Sequence, residues 1–263
     1  MANLIRGAKC GSSWTQNELR AYNIIVKNSK EEIFFKEKLE KISQNVTKEF
    51  LEFEFVPGMG TPDDNDLLGY MDLASMGKED QESMVDDFAS ELLKTLEFRG
   101  NGRLIRTRHS IQFFIAGIIS KAQTDVCIIR KDNRILLLLQ ENKTLENTKD
   151  PEAQVIAEAI AAFQENNKIR EYNNKEILEI MTFPCITMTG TSPIFYLIPI
   201  TKELNDNITV GTYPNIQTIV QRFIPIVPRR VSDGMKPIEN RKKILQCFEA
   251  FKKFVDELEE SLE

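Results

Sequence analysis

The run Ile135-Leu136-Leu137-Leu138-Leu139, closed at once by Gln140-Glu141, constrains this chain more than any other feature. Five consecutive apolar residues leave no polar face at either the strand or the helix period, so the segment must be covered on all sides. The turn residues Asp132-Asn133 stand before it, and Asp125-Val126-Cys127-Ile128-Ile129-Arg130 precedes them. This is a hairpin pattern, and it makes Arg134 to Glu141 a central strand. A strand apolar on both faces needs a layer on each side, which points to an α/β fold with a mixed central sheet flanked by helices. Hydrophobic residues at 41% and charged residues at 28% exclude a disordered or collagen-like chain.

The remaining segments fit around that strand. Apolar positions recur at helical spacing from Lys30 to about Glu54 and predict a helix there. Residues 55 to 80, opened by Pro57-Gly58-Met59-Gly60-Thr61-Pro62, read as a connector. Residues 81 to 97 form an amphipathic helix with Val85, Phe88, Ala89, Leu92 and Leu96 on one face. Ile111 to Ile115 is a strand that Ile118 to Lys121 extends. Asp150-Pro151 starts a helix, with the aspartate as cap and proline at the first helical position. Strands follow at Ile180–Met188 and Ile194–Ile200, and a helix closes the chain from Asn240 to Leu262. The expected division is an N-terminal helical extension and connector (1–80), a core (81–200) and a C-terminal extension (201–263).

The net charge of −6 disfavours a nucleic-acid partner only as an average. Glu52 to Phe98 holds thirteen acids and two lysines, a net of −11, whereas Arg99 to Lys143 holds nine bases and three acids, a net of +6. Within the basic window Arg99, Arg103, Arg106, Arg108, His109 and Lys121 are candidate nucleic-acid contacts. Arg229, Arg230, Arg241, Lys242 and Lys243 form a second basic set. The single histidine, His109, argues against a multi-histidine metal site. Four cysteines far apart, with no metal spacing, suit a reducing compartment. No apolar run approaches the roughly 20 residues of a membrane helix, and Met1–Gly11 lacks the apolar core of a secretion signal. The expected setting is intracellular, cytoplasmic or nuclear, with no membrane partner.

The chemistry gathers where the apolar strand ends. Glu141 and Lys143 are two apart and share a face. Asp125 opens the neighbouring strand, and a three-residue loop with paired positions summing to 266 sets it opposite Glu141. A two-residue turn gives 265 and opposite faces, so an odd loop or a bulge is expected. Two carboxylates at the end of an apolar sheet are costly unless compensated, and Mg²⁺ or Mn²⁺ suits such hard oxygen donors. Lys143 would then orient a water molecule or stabilise charge developing on a phosphate.

Asp125 followed by Glu141-Asn142-Lys143 resembles the D…E-x-K signature of the PD-(D/E)XK nuclease superfamily, which includes restriction enzymes, archaeal Holliday-junction resolvases and RecB-type exonucleases. The resemblance covers about residues 81 to 200 and implies a restriction-endonuclease-like αβββαβ core. It also implies a metal-dependent nuclease acting on DNA, or on RNA, with Asp125 and Glu141 as metal ligands and Lys143 assisting the attacking water. Many members add a glutamate from the first core helix, which here implies Glu91, 34 residues before Asp125. RecB-like members carry a catalytic glutamine on the helix after the E-x-K strand, and Gln154 stands there. Thr124 replaces the signature proline, and Glu158 stands where a Gln-x-x-x-Tyr pattern would put tyrosine. Some fungal and oomycete Crinkler-type effectors carry such domains, and the Asn/Ile/Lys-rich style is compatible, although no Crinkler N-terminal motif is present. The alternative is a non-catalytic module of the same fold that binds a protein or nucleic acid, with a dimer as one arrangement.

Overall fold

The computed structural model describes residues 7–53, 62–76, 82–100, 102–141 and 150–263, with the side chains of 62–65, 82 and 83 outside that description. In chain order the elements are α1 (Gln16–Ala21), β1 (Ile24–Asn28), α2 (Glu31–Phe35), α3 (Lys48–Glu52), α4 (Pro62–Ser75), α5 (Glu82–Thr95), β2 (Arg103–Ile115), β3 (Ile118–Arg130), β4 (Ile135–Glu141), α6 (Pro151–Tyr172), β5 (Ile180–Thr189), β6 (Ser192–Thr201), α7 (Lys202–Val210), β7 (Thr218–Phe223) and α8 (Ile238–Ser261).

The seven strands form one mixed sheet in the order β1-β7-β6-β5-β4-β3-β2. The β1–β7 and β4–β5 pairs are parallel and the others antiparallel. Every residue of β4 is buried, as its unbroken apolar run requires. One face of the sheet lies under α6, whose run of alanines lets the helix approach closely, and the other lies under α5 and α8. α6 also supplies the crossover between the parallel strands β4 and β5. Its N-terminus forms as its sequence dictates: Asp150 Oδ1 accepts from the Glu152 and Ala153 amides at 3.1 and 3.2 Å.

The chain before α5 wraps this framework. A 3-10 turn at Gly11–Ser13 lies so close to β3 that a Cβ on Gly11 would meet Ala122 Cβ at 2.9 Å. Trp14 is buried there, stacked on Tyr22 and against Phe113. On the other face Phe34 and Phe35 join Phe195, Phe223, Phe251 and Phe254 in an aromatic cluster. Tryptophan and phenylalanines thus pack the core, and Cys127, Cys185 and Cys247 are buried among them as free thiols.

Several expectations need correction. The helix expected from Lys30 to Glu54 is two five-residue helices, because α2 stops at Lys36 in the left-handed conformation (φ 56°). The expected connector contains α4, with Pro62 at its first position. Ile118 does not extend the strand ending at Ile115: Ala116 and Gly117, both at positive φ, reverse the chain into a long β2–β3 hairpin. β1, α7 and β7 were not anticipated, and β1 and β7 carry the sheet beyond 81–200 into both flanking segments. No helix among the described residues is long and apolar enough to cross a membrane.

Candidate metal centre

The end of β4 brings three acids together. Carboxylate oxygens of Asp86 from α5, Asp125 from β3 and Glu141 from β4 all lie within 4.8 Å of one another. Asp86 is 6% exposed and Glu141 9%, so both are withdrawn from the water that would screen their charge. Asp125 Oδ2 accepts the Glu141 backbone N–H at 2.8 Å and is also hydrogen-bonded by the Gln140 amide.

Those contacts explain how Asp125 and Glu141 meet without the expected register. The Arg130 amide donates to the Arg134 carbonyl, closing a three-residue loop, and a bulge follows between Ile128 and Ile129. An odd loop and a bulge are both present, but together they give Val126↔Leu139 and Cys127↔Leu138, which sum to 265 rather than 266. Asp125 therefore lies across from Gln140, and its carboxylate reaches diagonally to the Glu141 amide.

The helix acid in the cluster is Asp86, in place of the expected Glu91. At 100° per residue Asp86 shares the apolar stripe with Ala89 and Leu93, whereas Glu91 lies about 140° around the helix. Glu91 instead pairs with Lys94 at 2.9 Å. Asp87 is exposed, and the Glu82 side chain lies outside the described residues. The overlooked signal was an acid inside an apolar stripe. Asn142 and Lys143 also lie outside the described residues, so the lysine of the motif stands on sequence alone.

Beneath the cluster, Gln154 is buried and donates to Glu158 Oε1 at 3.2 Å. Glu158 is wholly buried, and its Oε2 has no hydrogen-bond partner among the described residues. Burial, then the nearby Asp125 charge, push its carboxyl well above the usual carboxylate range. Glu158 is a second acid that the sequence reading passed over.

The expected basic contacts divide. Arg103 is taken up by α8, bonding Glu259 at 2.8 Å through Nε and Asp256 at 2.5 Å, so it is withdrawn from the nucleic-acid set. His109 is half-buried, and burial and Arg106 lower its pKa. Arg99, Arg106, Arg108 and Lys121 are exposed. The second set does not form one surface, since Arg241 is fully buried and Lys243 pairs with Glu31 at 2.8 Å.

The cluster's donors fit a hard divalent cation. Two metal–oxygen bonds in line span about 4.2 Å for Mg²⁺, so carboxylates within 4.8 Å could close on one ion through small rotamer changes. Fold and site together define an α/β protein with a buried carboxylate cluster at the end of its central strand. No protein-family model matches the chain, and no curated protein does.

Proposed function

We propose that the chain is a metal-dependent phosphodiesterase of the PD-(D/E)XK type, acting on DNA in preference to RNA. The observation that carries this reading is the convergence of Asp86, Asp125 and Glu141 from three separate elements. It is supported by the order α5-β2-β3-β4-α6-β5, which matches the αβββαβ succession of a restriction-endonuclease-like core.

Asp86, Asp125 and Glu141 would hold Mg²⁺ or Mn²⁺, and Gln140 and the Glu141 amide would fix the Asp125 carboxylate for that task. Bound there, the ion would supply Lewis-acid polarisation of the phosphate and a water of lowered pKa. Lys143, two residues past Glu141, would stabilise charge on the phosphate or orient the water. Arg99, Arg106, Arg108 and Lys121 would hold flanking phosphates. Gln154 acts through Glu158, keeping that buried carboxyl in place behind Asp125.

The test is incubation of the full chain and its Lys143→Ala variant with Mn²⁺ and linear, circular, single-stranded and branched DNA, and with RNA. The reading expects cleavage by wild type that EDTA abolishes and a loss of at least about a hundredfold in the variant. Intact substrates of every topology would refute hydrolysis.

A further inference from the structure

Seven non-glycine residues among the described ones have positive φ: Asn23, Lys36, Glu97, Arg108, Ala116, Asn133 and Asn174. Six stand at helix ends or turns, where reversing the chain demands that conformation. Arg108, at φ 50°, alone stands inside a strand. A long side chain in the left-handed region of a strand is strained, and such outliers persist where the surroundings hold them and a site uses them.

Its position in the ladder is equally specific. β2 and β3 pair at every residue from Arg103↔Arg130 to Ile115↔Ile118, except where Arg108 lies across from Asp125. The flanking pairs Thr107↔Val126 and His109↔Thr124 fix that opposition. The one break in the hairpin therefore falls at the acid that joins Glu141 and Asp86. The Arg108 side chain is exposed and makes no hydrogen bond or ion pair with any described residue, unlike those of Arg103 and Arg130 on the same hairpin.

We infer that Arg108 is the residue that clamps the substrate phosphate at the acid cluster. A guanidinium offers a planar fork of donors that fits a phosphate bidentately. An anionic substrate must approach three carboxylates, and a cation held one strand away from them offsets that repulsion. The inference rests on the nuclease reading and goes beyond it: Arg108 is separated from the general basic set and given the group at the reacting centre.

The test uses the full chain and the variants Arg108→Gly and Arg108→Lys. A 5′-phosphorylated single-stranded DNA oligonucleotide is bound in Ca²⁺ across a salt series, and cleavage is followed separately in Mn²⁺. Glycine accepts positive φ without strain, so Arg108→Gly should melt at or above the wild-type temperature, and lost function would not be lost folding. The expected result is a fall in the slope of log affinity against log salt by about one. Cleavage should fall on the order of a hundredfold, with Mn²⁺ affinity unchanged and Arg108→Lys in between. Wild type inert in cleavage, yet with binding that depends on Arg108, refutes hydrolysis and retains the clamp. Binding with the same affinity and salt slope in Arg108→Gly overturns the clamp whatever the cleavage result.

Discussion

Asp86 and Glu91 stand five residues apart on α5, and that spacing decides which can serve a cluster on the sheet. The charge pattern marked α5 as acidic, but only the angle around the helix separates an acid in the apolar stripe from one on the solvent side. Asp125 and Glu141 were legible because they terminate strands whose apolar run is unmistakable. Glu158 was not, because one acid among alanines signals nothing until the helix is seen to bury it completely. Its raised carboxyl pKa has a definite consequence. The folded state keeps a proton that the unfolded chain releases near the ordinary value of 4.5. Stability from this group is therefore full below that value and is lost as pH rises through the folded one. In EDTA, the Tm of Glu158→Gln should gain on wild type progressively as pH rises above the ordinary value of 4.5. A difference constant with pH would contradict the assignment. The thiols make a parallel case. Burial pushes Cys127 and Cys247 up to about 12 and Cys185 well above its ordinary value, while hydrogen bonds from Ser12 and Ser13 lower Cys10. Iodoacetamide on the native protein should modify Cys10 alone by peptide mass mapping, and all four cysteines after denaturation.

Elements with strong local signals matched the sequence reading, and those defined by long-range pairing did not. α5, β4, α6, β5, β6 and α8 all carry their own periodicity or caps. β1 and β7 have only each other and β6 to specify them, and β7 follows a stretch with Pro214 that reads as irregular. α2 ends at Lys36, whose left-handed conformation turns the chain away once Phe34 and Phe35 have entered the aromatic cluster. At the start of α6, Asp150 also accepts from Gln16 at 2.8 Å, tying the cap to α1. Asp150→Ala should cost about 1 kcal/mol of unfolding free energy in urea, and Asp150→Asn a fraction of that. Equal stability of all three proteins would show that the cap contributes nothing.

At the scale of the molecule, charges that looked like two binding surfaces serve partly to fasten the chain to itself. Arg241 is buried with its guanidinium bonded to the carbonyls of Phe50, Phe53, Met235 and Lys236, which locks α3 to the start of α8. Arg241→Met should cost on the order of 3 kcal/mol, because the carbonyls lose their donors, and should hasten proteolysis before α4. Arg103 and Arg130 likewise hold the acidic end of α8 against the hairpin, with Arg130 bonding Glu263 at 2.8 Å. What remains of the expected contacts is the exposed set Arg99, Arg106, Arg108 and Lys121, which no charge sum could isolate. The central claim is that Asp86, Asp125 and Glu141 form one cation site. Calorimetric titration of Mn²⁺ into wild type, Asp86→Ala and Glu91→Ala tests it most directly. The account predicts saturable binding to wild type, a loss of more than about tenfold in Asp86→Ala, and no change in Glu91→Ala. Undiminished binding by Asp86→Ala, or none by wild type, would contradict it.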